Sequence, residues 1–151
     1  MKGDDHAPID ILLVEDDPGD VRLTREALQE GKLGNTLHVV QDGVQAMAFL
    51  QKLGPYSHAP TPDLILLDLN LPGKDGRQVL AEIKADPGLR RIPIVILTTS
   101  ASEQDVLATY DLHANCFVVK PVGFAEFLAV VEAIEHFWLT ITRLPPHDSP
   151  K

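Results

Sequence analysis

The chain has 151 residues and a net charge of −9, from 13 basic and 22 acidic side chains. That length suits one domain with a full core, and the acidic balance argues against a sequence-independent grip on nucleic acid, which needs clustered Lys and Arg. Cys116 is the single cysteine. No apolar run approaches the roughly 18 residues of a membrane span, and Met1 to Asp10 does not resemble a signal peptide, so a cytoplasmic protein without membrane or nucleic-acid contact is expected.

In chain order, residues 1–8 read as a loose end. Ile9 to Val14, IDILLV, is an apolar run that ends in Glu15, Asp16 and Asp17, which predicts a strand followed by a helix start. Asp17 suits the N-cap and Pro18 the first helical position, and Val21, Thr24 and Leu28 recur on one face until Gly31. Leu37 to Gln41 reads as a second strand. Asp42 then caps a helix expected to run through Leu53, with Val44, Met47 and Ala48 inward and Gly54-Pro55 as its stop. A loop over Gly54 to Pro62 leads to DLILLDLNLPGKDG, Asp63 to Gly76. Leu64 to Leu67 is too short for a free-standing helix and has no polar alternation, so it reads as a strand covered on both faces.

After Gly76 a third helix carries Val79, Leu80 and Ile83 inward and ends near Asp86-Pro87. Ile92 to Leu97 is the fourth strand, with Thr98 at its C-terminal end. Ser102 with Asp105 resembles a capping box for a helix to Leu112. Cys116 to Val119 is the fifth strand, ending at Lys120-Pro121. A long last helix places Phe124, Leu128, Val131, Ile134 and Trp138 on one stripe. Five strand-helix repeats with right-handed crossovers predict an α/β fold, a doubly wound parallel sheet with helices on both faces. The expected domain covers 9–140, with 141–151 as an extension or tail.

Four strand ends carry groups that could react or bind: Glu15-Asp16, Asp68, Thr98 and Lys120. With strand order 2-1-3-4-5 the topological switch falls between the first and third strands, where Asp16 and Asp68 would face each other. Exposed loop acids, or an Asp that merely starts a turn, are the bland alternative for any one of them. Crowded carboxylates repel, so they raise one another's pKa or hold a hard cation. Oxygen ligands from Asp16, Asp68 and a carbonyl near Asn70, with a water held by Glu15, point to Mg²⁺ with a phosphoryl group as further ligand. Lys120 balances the acids unless it simply snorkels to the surface. Together with the Thr98 hydroxyl it would bind phosphoryl oxygens while the Asp68 carboxylate attacks phosphorus, giving an aspartyl phosphate.

The acidic pair in VEDD, LDLNLPGKDG with Pro four and Gly eight residues after the Asp, ILTTS and VVKP occur in one order, with a strand and a helix between neighbours. In this the chain resembles the receiver domains of two-component response regulators, over about Ile9 to Leu139, and is similar to the chemotaxis regulator in lacking an output domain. The resemblance implies a flavodoxin-like five-stranded fold with Asp68 as phosphoacceptor and Asp16 as the principal acidic Mg²⁺ ligand. It implies Glu15 as a water-mediated metal partner, Thr98 as switch hydroxyl, Lys120 as phosphoryl-binding lysine and a cis Lys120-Pro121 bond. Phe117 stands where the family carries an aromatic that turns inward on activation, or is an ordinary core Phe. A histidine kinase is the implied donor, and slow self-hydrolysis the implied reset, so signalling rather than enzymatic turnover is expected. Output would pass to a downstream phosphotransfer or target protein.

TPDLILLDLNLPGKDGRQVLAEIK, DPGLRRIPIVILTTS and FWLTITRLP look more narrowly like the single-domain regulators paired with bacterial and cyanobacterial phytochromes. Phe137, Trp138, Leu139, Ile141 and Leu144 are more apolar than one core stripe requires, which favours a homodimer through the fourth helix, fifth strand, last helix and C-terminal extension. Haloacid-dehalogenase-type phosphatases also form an aspartyl phosphate, but need an acid two residues after the nucleophile, where this chain has Asn70. A flavodoxin-like cofactor binder would want a phosphate loop where EDD stands. A docking module that is never phosphorylated is the remaining alternative, against which the full set of acids, Thr98 and Lys120 argues.

Overall fold

The computed structural model describes residues 9–31, 34–73, 75–98, 116–119 and 124–142. Its elements are β1 (Ile9–Val14), α1 (Pro18–Glu30), β2 (Asn35–Val40), α2 (Gly43–Gln51), a 3-10 turn (Gly54–Tyr56), β3 (Leu64–Leu67), α3 (Gly76–Ala85), β4 (Ile94–Thr98), β5 (Cys116–Val119) and α4 (Phe124–Thr142). The helix predicted from Ser102 to Leu112 and the Lys120-Pro121 bond lie outside the described residues.

Strand order is β2-β1-β3-β4-β5, all parallel, as the alternation of strands and helices predicts. β1 and β3 have neighbours on both edges and helices on both faces, so every residue of β3 and five of six in β1 are buried. Side chains alternate between two cores. Leu12, Val14, Ile65, Leu67, Ile94 and Ile96 pack with Met47, Phe49 and Leu50 of α2 and Val79, Leu80 and Ile83 of α3. Ile11, Leu13, Leu64, Leu66, Val95 and Leu97 pack on the other face with Ala27 and Leu28 of α1 and Val131 and Ile134 of α4.

Helix ends follow local chemistry. Asp17 caps α1 by accepting from the Gly19 N–H (2.8 Å), with Pro18 opening the helix, and Asp42 caps α2 by accepting from the Gln45 N–H (2.8 Å). Four expectations are corrected. Val44 is 64% exposed, and the inner face of α2 is Gly43, Ala46, Met47, Phe49 and Leu50, because the capped first turn rotates Val44 outward. That helix ends at Gln51 rather than Leu53. Lys52 takes the left-handed conformation (φ 59°), the Leu53 N–H returns to the Ala48 carbonyl (2.9 Å) and the Lys52 N–H to that of Phe49 (3.2 Å), so a Schellman closure precedes Gly54. β4 starts at Ile94, not Ile92: the Ile92 N–H closes a turn onto the Leu89 carbonyl (3.0 Å), and Pro93 then leads into the strand. β2 also begins and ends earlier than expected, at Asn35 and Val40.

The two positions Ile65 and Val44 separate core from surface. Ile65→Ala, at a fully buried β3 position, should lower unfolding free energy by about 2–5 kcal/mol. Val44→Ser should stay within about 0.5 kcal/mol of wild type, both read from urea denaturation midpoints. A Val44→Ser loss as large as the Ile65 one would contradict the outward placement.

Candidate functional site

The register Val14↔Leu67 brings the ends of β1 and β3 level, so Glu15-Asp16 and Asp68 leave the sheet side by side at the switch point. Ladder bonds continue past the strands. The Glu15 N–H donates to the Val40 carbonyl (3.0 Å) and the Asp68 N–H to the Val14 carbonyl (3.2 Å). Carboxylate oxygens of Glu15, Asp16 and Asp68 all lie within 4.8 Å of one another. Glu15 and Asp68 are buried, at 3% and 6% exposure, while Asp16 is exposed. One side of the cluster is therefore open to solvent.

Each buried acid is also oriented by backbone. A Glu15 oxygen accepts from the Asp17 N–H (3.2 Å), at the mouth of α1, and Asp68 Oδ1 accepts from the Asn70 N–H (2.9 Å). Beyond Asp68 the chain turns through Gly73, at φ 67°, a conformation glycine adopts without penalty. It then re-enters helix at Gly76, whose N–H donates to the Leu69 carbonyl (3.2 Å). A Cβ at Gly76 would collide with the Asp68 carbonyl oxygen and come within 2.7 Å of Leu69 Cα. That close approach explains the glycine. A cavity of about 480 Å³ opens on the α1 side of Glu15 and Asp16, walled also by Pro18, Val21, Arg22, Arg25 and Val39, and Asp68 is not in its lining.

Thr98 ends β4 and pairs with Val119 of β5, and Phe117 pairs with Ile96. The backbone thus carries Thr98 to the same edge as the acids, while Lys120 lies outside the described residues. Sequence reasoning missed Asp75: it caps α3 in a capping box with Gln78 and pairs with Arg77. The signal was present as Asp75 followed three residues on by Gln78.

Residues 11–132 match the model of the response regulator receiver domain family. The chain is a response-regulator receiver domain. Receivers accept phosphoryl groups in two-component signalling and interact with histidine kinases. This receiver is 50% identical over 145 residues to response regulator Rcp1 of Synechocystis sp., covering 96% of the chain and 99% of that relative. A structure of the Mn²⁺-bound form of Rcp1 superposes with a TM-score of 0.83 at 52% identity, covering 91% and 99%. The phosphorylated cyanobacterial phytochrome response regulator RcpA gives 0.85 at 50% identity, covering 92% and 99%. The bacteriophytochrome response regulator RtBRR gives 0.72 at 44%, covering 83% and 76%. Among the described residues no helix is long and apolar enough to cross a membrane.

An oxygen-only set with two buried carboxylates fits a hard divalent cation. A divalent cation at roughly 100 times its Kd should stabilise the fold by about 2.7 kcal/mol. Asp16→Asn should remove most of that gain and raise the metal-free melting temperature, because one of three mutually repelling charges is gone, as thermal melts with and without the cation will read.

Proposed function

We propose that this receiver takes a phosphoryl group onto Asp68 from a histidine kinase of the bacteriophytochrome type, with Mg²⁺ as its metal. The observation that carries the reading is the convergence of Glu15, Asp16 and Asp68 within 4.8 Å at the β1/β3 switch point. Likeness to phytochrome response regulators supports the choice of donor. In this reading Asp16, Asp68 and the backbone carbonyl of Asn70 would hold Mg²⁺, and Glu15 would act on it through water. The bound ion would supply positive charge against the phosphoryl oxygens.

An Asp68 carboxylate oxygen forms the new bond to phosphorus in line with the leaving group. The bond from phosphorus to the donor's imidazole nitrogen breaks, and its electron pair stays on the imidazole. The Asn70 N–H at Oδ1 (2.9 Å) fixes the plane of the attacking carboxylate, so little rotational freedom remains to be lost. Asn70 itself cannot donate or take a proton as a general acid would, which disfavours rapid hydrolytic turnover of the phosphatase kind.

Thr98 and Lys120 complete the set. Lys120 follows Val119, the residue paired with Thr98, so a phosphoryl group on Asp68 would draw the Thr98 hydroxyl and be met by the Lys120 ammonium. Phe117, paired with Ile96 on the same two strands, is the associated switch residue. The domain unit is 9–140, flanked by 1–8 and the extension 141–151. Apolar residues at Phe137, Trp138, Leu139 and Ile141 stand at positions all round the end of α4, which supports a homodimer there and through β5. A downstream phosphotransfer or target protein would read the changed face. A cytoplasmic setting is consistent with the lone Cys116 remaining a thiol.

Intact mass after incubation with Mg²⁺ and acetyl phosphate tests the acceptor. Wild type should gain one acid-stable, base-labile phosphate that requires Mg²⁺, and Asp68→Asn should gain none. A phosphate that persists in Asp68→Asn, or turnover of a phosphomonoester well beyond one equivalent, would sink the reading.

A further inference from the structure

We propose that Asp75 is a positioning residue for Asp68, acting through the first turn of α3 without touching the acidic cluster. This rests on Asp68 being the phosphoacceptor and metal ligand. The segment after Asp68 is closed like a clasp. It opens with the Asp68 N–H on the Val14 carbonyl and shuts with the Gly76 N–H on the Leu69 carbonyl (both 3.2 Å). Gly76 sits so close to the Asp68 carbonyl that a methyl group could not be placed between them. The first residue of α3 is therefore a wall against which the main chain of the acceptor rests.

What keeps that wall in place is Asp75. Its Oδ1 accepts from the Arg77 N–H (2.8 Å), its carboxylate also receives the Gln78 N–H, and its own N–H donates to Gln78 Oε1 (2.9 Å). The Arg77 guanidinium lies on the same carboxylate, at 2.9 and 3.2 Å to its two oxygens. A first helical turn has no intrahelical acceptors for its N–H groups, so without the cap it frays. Fraying here frees the Arg77 and Gln78 N–H groups and leaves Gly76, and with it the packing on Asp68, held only by the bond to the Leu69 carbonyl. The Arg77 pair is partly exposed and contributes little beside the cap.

Four variants decide the matter, each followed by phosphorylation rate with acetyl phosphate, calorimetric Mg²⁺ affinity and melting temperature. Asp75→Ala should slow phosphorylation and weaken Mg²⁺ binding by at least about tenfold, short of the roughly hundredfold that a 1 Å misplacement can bring. Asp75→Ser, which still caps, and Arg77→Gln should both stay within about twofold of wild type. Val131→Ala, a core truncation on the opposite face of the sheet, should lower the melting temperature without changing either rate or affinity per folded molecule. Equal losses in Asp75→Ala and Val131→Ala, or unchanged rate and affinity in Asp75→Ala, would overturn the inference. A wild type that binds Mg²⁺ but takes no phosphate sinks the acceptor reading while the affinities still decide the role of Asp75. A wild type that does neither sinks both.

Discussion

Repulsion among three carboxylates is the interaction on which the site depends. Two unit charges about 4 Å apart repel by about 1 kcal/mol in water and about 4 kcal/mol at an effective dielectric of 20, and the exposed Asp16 stands toward the watery end of that range. Flexible acids would swing apart. Here the strain cannot be relieved by sliding β1 against β3, because a one-residue slip would turn Leu64 to Leu67 and Ile11 to Val14 onto the wrong cores. The hydrophobic sheet therefore holds the main chain of the acids side by side, and a bound cation relaxes their repulsion.

The hydrogen bonds around the acids share this logic. Glu15 continues the β1/β2 ladder through its N–H and the start of α1 through its carboxylate. Asp68 continues the β1/β3 ladder and is closed off by Asn70 and Gly76. The strands set position and the helix starts set direction. Helix N-termini carry partial positive charge, so the mouth of α1 beside Glu15 and Asp17 offsets part of the acidic field without moving any charge into the site.

How much of this was legible in the sequence depends on how local the cause is. Leu64 to Leu67 could be read as a buried strand because four apolar residues flanked by Asp63 and Asp68 leave no helical alternative. Asp17-Pro18 and Asp42 fixed helix starts for the same local reason. The acidic set was legible because strand ends share an edge in any doubly wound sheet. What failed was decided by three-dimensional competition. Val44 has the hydrophobicity of a core residue, yet Ala46, Met47, Phe49 and Leu50 fill the space under α2, leaving it outside. Lys52 took the left-handed cap although Gly54 was two residues away, since the Schellman bonds to Ala48 and Phe49 need the turn there. Ile92 looked like strand and is buried, but its N–H belongs to the turn after α3. The Asp75 cap was overlooked for a different reason: the neighbouring Lys74 and Gly76 read as loop, and nothing in spacing alone reveals that Gly76 touches Asp68.

The same sheet suggests where a charge change at Asp68 would be felt. β1 and β3 each have strand neighbours on both edges and a core on both faces, so they yield little. Among the described residues β5 is an edge strand held by a single ladder to β4, with Thr98 and Val119 as its last pair on the acidic edge. Under the proposed function, a pull on the Thr98 hydroxyl would reach Ile96 and Phe117 along that ladder. The opposite edge differs. β2 is tied to β1 over six residue pairs and adds the Glu15 N–H beyond its end, so it moves with the rigid part of the sheet. An asymmetric sheet with the acids on its stiff centre and a short strand at one edge can thus turn one added charge into a change on one side of the molecule.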